Sequence, residues 1–259
     1  MLVNENIRWL SVAKVISAIR SIDPSRFSGA VGASQEEINA LARRWRERPL
    51  PEAYAEFLSL LGSSSGNVVL HESLDFSLRT VIDGFDNLDS PIGDLLPIAF
   101  DNTTELETML CLDLESPLIP DDPGLYGVVS PQESKTFDLH WAERFSLWVG
   151  RLLFVSALVK PSKYVVSIQP ELSEPYHIWS SSNDADRLVS ETLLDMGLTA
   201  LVPECGTYHA GKSHFVAYQR YPKRSGFFLR IGSRDLSLCR RLRTTLSLLT
   251  GTAFTENGF

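Results

Sequence analysis

Residues Gly206 to Ser213, GTYHAGKS, satisfy the pattern G-x-x-x-x-G-K-S. In a working phosphate loop of that form, backbone amides at the start of a helix cradle the phosphates. The lysine reaches the outer phosphates and the serine hydroxyl holds magnesium. The following residues do not support that chemistry. His214 to Gln219 alternates apolar and polar side chains, as a strand does, and no later apolar strand ends in the Asp that a second magnesium contact needs. A β-hairpin loop is the expectation there. Cys205, His209 and His214 lie close enough in sequence to suggest zinc, but their spacing is irregular and a fourth ligand is missing. His71, His140 and His177 are isolated, and no Ser or Cys has the partners of an activated nucleophile. Asp121 and Asp122, with Asp113 and Glu115, offer oxygen ligands without EF-hand spacing. The chain therefore reads as a non-enzyme, with no catalytic residue, cofactor or metal expected.

Charge distribution carries more information. The 259 residues have a formal net charge of −8, unevenly spread. Residues 1–158 hold 12 bases and 23 acids, whereas 159–259 hold 12 and 9. Within the first part, residues 71–143 hold 16 acids against two bases, Arg79 and Lys135. One reading is a solvated acidic surface that keeps the protein soluble. The sharper one is a surface for a basic partner, since a polyanionic field steers association and imitates a phosphate backbone. The residues expected to make that contact are Asp83, Asp86, Asp89, Asp101, Glu105, Glu107, Asp113, Glu115, Asp121 and Asp122. Direct nucleic-acid binding by this half is disfavoured. Arg240, Arg241 and Arg243, with Lys223 and Arg224 nearby in sequence, form a basic cluster that fits a solvated helix face, a dock onto the acidic half, or a partner site.

No run approaches the ~18 apolar residues needed to span a bilayer, and the longest candidate, Phe145 to Val159, is broken by Arg151. No signal peptide is evident at the N-terminus. Cys111, Cys205 and Cys239 are odd in number and sit in apolar surroundings, which fits free thiols in a reducing cytoplasm.

The elements follow from period and punctuation. Glu5 to Ile22 spaces Ile7, Leu10, Val12, Val15, Ile16 and Ile19 as one helical stripe. Ser34 with Glu37 forms a capping box that opens a helix through Ile38, Leu41 and Trp45. A second helix starts at Pro51 or Glu52 and buries Tyr54, Phe57, Leu58 and Leu61, then stops at Gly62 and a Ser-Gly loop. Val68 to Leu70 reads as a strand, followed by acidic loops around Asp83, Asp86 and Asp89. Leu95 to Phe100 and Met109 to Leu112 form a strand pair joined across Asp101 to Thr108, with a short strand at Leu125 to Val129 and a long helix from Phe137 to Leu158. Beyond a boundary at Lys160-Pro161-Ser162, the pattern is β-α-β-β-β-α. The predicted class is α+β, in three parts: an N-terminal helix and linker (1–26), a mixed helix and antiparallel-sheet domain (27–159), and a second small α+β domain (160–259).

Residues 27–158 resemble the SUKH superfamily. The resemblance rests on Gly32-Ala33-Ser34-Gln35-Glu36-Glu37-Ile38, then Leu50-Pro51-Glu52-Ala53-Tyr54-Ala55-Glu56-Phe57-Leu58 with Gly62. The strand pair Leu96-Pro97-Ile98-Ala99-Phe100-Asp101 and Leu110-Cys111-Leu112-Asp113-Leu114 follows in order, and the helix at Trp141 to Leu153 stands where the family has its closing helix. One departure is the connection between the central strands, which is longer than the family's Gly-rich turn and holds Glu105 and Glu107. The resemblance implies a non-enzymatic fold and a bacterial immunity protein, cytoplasmic, that neutralises a secreted toxin, including those of type VI systems. A toxin with a basic cleft would suit the acidic residues, and no membrane or nucleic-acid partner is expected. The alternative is a scaffold or signalling module of the same superfamily. A third, unrelated alternative is a nucleotide-dependent enzyme using Gly206 to Ser213.

Overall fold

Helix α1 (Val12–Ile22) starts at Ser11, whose Oγ accepts from the Lys14 N–H, and buries Val12, Val15, Ile16 and Ile19 along one stripe. The structure, a computed structural model, describes residues 9–88, 94–101, 108–114, 121–129, 139–168, 183–202, 208–220 and 227–250. The short strand β1 (Ala30–Val31) leads into α2 (Gln35–Arg44), where the expected capping box is complete. The Ser34 N–H donates to the Glu37 carboxylate at 2.7 Å and the Glu37 N–H donates to Ser34 Oγ. Helix α3 (Glu52–Leu61) buries Ala53, Tyr54, Phe57, Leu58 and Leu61, and β2 (Ser64–Ser65) pairs antiparallel with β1.

Strand β3 (Leu74–Asp75) and helix α4 (Leu78–Asp86) follow. This helix corrects the sequence expectation of acidic loops. Leu78 and Val81 are buried and Ile82 and Phe85 pack against the core, an i, i+3, i+4, i+7 stripe. Its N-terminus is held by Ser77 and Asp75, and Gly84 lies against the Phe100 ring, where a Cβ would sit 2.6 Å from that ring. Strands β4 (Leu95–Asp101), β5 (Thr108–Asp113), β6 (Gly124–Val129) and β7 (Leu139–Arg144) then meander. With β3 they form a five-stranded antiparallel sheet in the order β3-β4-β5-β6-β7. Pro97 interrupts β4, and the register with β5 shifts there. A bulge accommodates a residue with no N–H to donate. The connection at 102–107 lies outside the described residues.

Helix α5 (Phe145–Phe154) ends in a π turn at Val155–Val159. The sequence expectation of one helix from Phe137 is corrected at its start, because 139–144 is strand and Arg144 is extended at φ −60°, ψ 139°. Val68 to Leu70, expected as a strand, is irregular backbone. The core under the sheet is aromatic: Phe145 meets Tyr54 and Phe57 edge-on at 5.6 and 5.8 Å, and Phe76 bridges Phe57 to Trp148. Such pairs add ~0.5–1.5 kcal/mol each beyond the area they bury.

The second sheet contains β8 (Tyr164–Ile168), β9 (Thr199–Ala200), β10 (Tyr208–Ala210), β11 (His214–Arg220) and β12 (Phe227–Ser233), in the order β8-β12-β11-β10-β9. Helix α6 (Asn183–Asp195) lies between β8 and β9, and α7 (Leu236–Thr250) follows β12. Strand β10 is one more than the sequence pattern gave. Side chains alternate across this sheet. Tyr208, Ala210, Phe215 and Ala217 join the first core, while Val216, Tyr218, Leu229 and Ile231 pack with Val189 and Leu193 of α6 and Cys239, Leu242 and Leu246 of α7. Tyr208 stacks on Phe154 at 5.2 Å and its hydroxyl donates to the Leu147 carbonyl at 2.9 Å. Apolar packing is therefore continuous across Lys160-Pro161-Ser162, where the sequence changes unit. The chain is α+β, with antiparallel pairing throughout its described sheets.

Candidate functional site

Of the ten acids expected at a partner surface, the six among the described residues are not all at the surface. Asp122 is a correction: it is 1% exposed and belongs to the interior. Its Oδ1 accepts the Ser146 N–H and its Oδ2 accepts the Ser146 hydroxyl and the Arg144 Nε–H, each at 2.7 Å. Ser146 Oγ in turn accepts the Leu10 N–H at 3.0 Å. Asp122 thus supplies the cap that Arg144, at the N-cap position of α5, does not. It also explains why the helix begins at Phe145: the captured Ser146 amide fixes the first turn. Burial pushes the Asp122 carboxyl up, against the Ser146 hydrogen bonds and the Arg144 charge that pull it down. The neighbouring Asp121 carbonyl accepts the Ala53 N–H at 3.0 Å, so the same turn ties down the start of α3. Glu56 does the corresponding work for α1, accepting the Val12 N–H at 2.9 Å and the Ser11 hydroxyl at 2.7 Å.

Other acids are met by arginines that the sequence window of 71–143 leaves out. Arg44 on α2 pairs with Asp86 at 3.0 Å, and Asp94 is paired with Arg46 and, at 3.9 Å, with Arg48. The backbone turns left-handed at Arg46 and Glu47, φ 51° and 54°, between these arginines. Asp83 is 66% exposed and only loosely met by Arg79 at 3.8 Å. Asp101 ends β4 and Asp113 ends the antiparallel β5, with Asp113 opposite Leu95. Six strand residues separate the two ends, about 20 Å. Asp89, Glu105, Glu107 and Glu115 lie outside the described residues.

The GKS motif falls on a hairpin. Tyr208, His209 and Ala210 form β10, Gly211 to Ser213 turn, and His214 opens β11, with His209 opposite Val216. No helix follows Ser213 to present amides to a phosphate. His209 and His214 lie on the same face of the hairpin, and the His214 ring rests against Gly211, where a Cβ would meet its Nε2 at 2.5 Å. His209 is 3% exposed with its Nδ1 unpartnered, and burial lowers its pKa to about 4. His214 is lowered by burial and by Arg241, against Asp235. Cys205 lies outside the described residues. Among the described residues no three His, Cys, Asp or Glu come together as a metal-binding group.

The sequence did not point to a hollow enclosed by the connection from α3 to α4. The Leu78 N–H donates to the Gly62 carbonyl at 2.7 Å and closes the loop, an Ω-loop in form. It encloses a cleft of about 340 Å³ with Leu61, Val68 and Phe76 in its apolar wall and Ser64, His71 and Asp75 among its polar lining. His71 Nδ1 accepts the Ser73 N–H at 3.2 Å and lies 3.3 Å from Ser73 Oγ. Burial, then Lys160, keep the imidazole below its usual pKa. Asp75 is committed to the Ser77 N–H and the Thr80 hydroxyl. The polar groups therefore serve the loop and α4, and the hollow holds no set of activated groups. The signal available in the sequence was length: a connection of this size between two helices is unusual without a role.

No protein-family model matches the chain, and none is matched among curated proteins or solved structures. Among the described residues no helix is long and apolar enough to cross a membrane.

Proposed function

We propose that this chain is a non-catalytic cytoplasmic immunity protein of the SUKH type, which binds a cognate secreted toxin and occludes its active site. The observation that supports this most is element order: a capped α2, then α3, a looped connection, the antiparallel β4 and β5, and the closing α5 follow one another as the resemblance implies. The excess of acids over bases in residues 71–143 favours a toxin with a basic cleft, including one directed at nucleic acid. Contact would run over Asp83, Asp101, Asp113 and Asp121 with the acids at 89, 105, 107 and 115. Asp122 has no part in it, being buried, and Asp86 contributes less because Arg44 already meets it.

Co-expression with the product of the neighbouring gene tests this reading. Growth rescue and co-elution as one complex are expected. Reversing Asp83, Asp101 and Asp113 together should weaken that complex and flatten its salt dependence. A neighbour that is neither toxic nor bound would contradict the proposal and favour a scaffold with a cellular partner.

A further inference from the structure

We infer that Lys212, Arg234, Arg240 and Arg241 form a docking surface for an acidic protein segment. All four side chains are exposed. The fold brings them to one place. Lys212 is in the turn of the β10–β11 hairpin, and the Arg234 N–H donates to the Ser213 carbonyl at 3.0 Å, which fixes the β12–α7 junction against that turn. Strand register adds a second tie, pairing His214 with Ser233. Arg241 is close enough to His214 to lower its pKa, and Arg240 precedes it on α7, turned about 100° to its flank. The carboxylate of Asp235, beside Arg234, serves to cap α7, accepting from the Ser237 N–H and hydroxyl at 2.8 Å and from the Leu238 N–H. Among the described residues none of the four basic side chains has an ion pair or hydrogen bond. Arg44 of α2 and Arg46 and Arg48 of its following turn, by contrast, are paired with Asp86 and Asp94. Four exposed cations gathered around one hairpin set up a local positive potential that attracts an anionic partner.

Two features favour an acidic protein segment over nucleic acid. None of the exposed large apolar side chains among the described residues is aromatic: they are Val31, Val69, Leu188 and Leu194, so the described surface offers the cations no exposed ring for base stacking. The net charge of −8 also opposes a long polyanion more than a short acidic stretch, whose charges fall within about one Debye length, ~8 Å, of the patch. This surface is separate from the acidic contact proposed above, and its test does not depend on it.

The probe is a fluorescein-labelled oligo-glutamate peptide, followed by anisotropy on the full chain at low salt, with a single-stranded DNA oligonucleotide of equal charge in parallel. Binding of the peptide is expected, weakened about tenfold or more when Lys212, Arg234, Arg240 and Arg241 are all changed to Glu. A milder Arg240→Gln/Arg241→Gln pair should give a smaller loss in the same direction, and it guards against misfolding of the charge-reversed variant. Arg44→Glu/Arg46→Glu should leave the peptide affinity unchanged. Absence of peptide binding, equal loss in the Arg44/Arg46 variant, or tighter binding of the oligonucleotide than of the peptide would each overturn the proposal.

Discussion

Asp122, in the turn before β6, and His209, in β10, are both buried ionisable side chains, and the chain treats them in opposite ways. Asp122 receives three hydrogen bonds, one of them from Arg144, and through Ser146 it holds the start of α5 and the Leu10 amide. His209 leaves Nδ1 without a partner and stays neutral instead. The surfaces repeat the contrast. In the first sheet's layer Asp86 and Asp94 are answered by arginines, while Lys212, Arg234, Arg240 and Arg241 beside the second sheet stand unanswered among the described residues. A formal charge count therefore tells only part of the story: Asp86, Asp94 and Asp122 are met by arginines, while the four bases beside the second sheet have no partner among the described residues.

The largest effect should come from removing Asp122. Asp122→Ala removes a partner of Arg144, leaves two Ser146 donors unmet and uncaps α5, a loss of about 3–5 kcal/mol expected for breaking a buried pair. Urea unfolding measures it. A cost below about 1 kcal/mol would show that the turn at Asp121 and Asp122 is not the structural junction described.

His209 should make stability depend on pH. Its pKa is about 4 in the folded chain against 6.5 for a free imidazole. Between those values the unfolded chain holds a proton that the folded chain refuses, so stability rises with pH across that window and is level above it. The full difference is about 3 kcal/mol. Thermal unfolding from pH 4 to 7 should show a slope that His209→Leu reduces, the remainder coming from His71 and His214, and an identical slope in that variant would refute the assignment.

Smaller changes sharpen the comparison. Tyr208→Phe removes the hydroxyl bond to Leu147 that crosses from the second sheet to α5 and should cost about 1 kcal/mol, read as a shift in the urea midpoint. Arg44→Ala, which removes an exposed partner of Asp86, should cost only about 0.2–1 kcal/mol, and less in high salt.

Much of this was legible in the chain. The capping box at Ser34 and Glu37, the buried stripe of α3 and the strands around Leu96 and Leu112 follow from local pattern, which tertiary context only reinforced. Helix α4 was equally written, in Leu78, Val81, Ile82 and Phe85, but its aspartates drew attention to charge rather than period. The start of α5 was not legible, because Trp141, Phe145 and Trp148 keep helical spacing while Asp122, more than twenty residues earlier, sets the boundary. The pairing of Asp86 and Asp94 with arginines of α2 and the turn after it was also out of reach, since it depends on which helix lies beside which. The gathering of Lys212, Arg234 and Arg241 needed strand register for the same reason.

The most direct test of the charge contrast is retention of the intact protein on a cation-exchange resin at neutral pH and low salt. A protein of formal charge −8 should nonetheless be retained through the patch at Lys212, Arg234, Arg240 and Arg241. It should run through when these four are changed to Glu, yet stay bound when Arg44 and Arg46 are changed instead. Flow-through of the wild-type protein, or equal loss of retention in the two variants, would contradict the account.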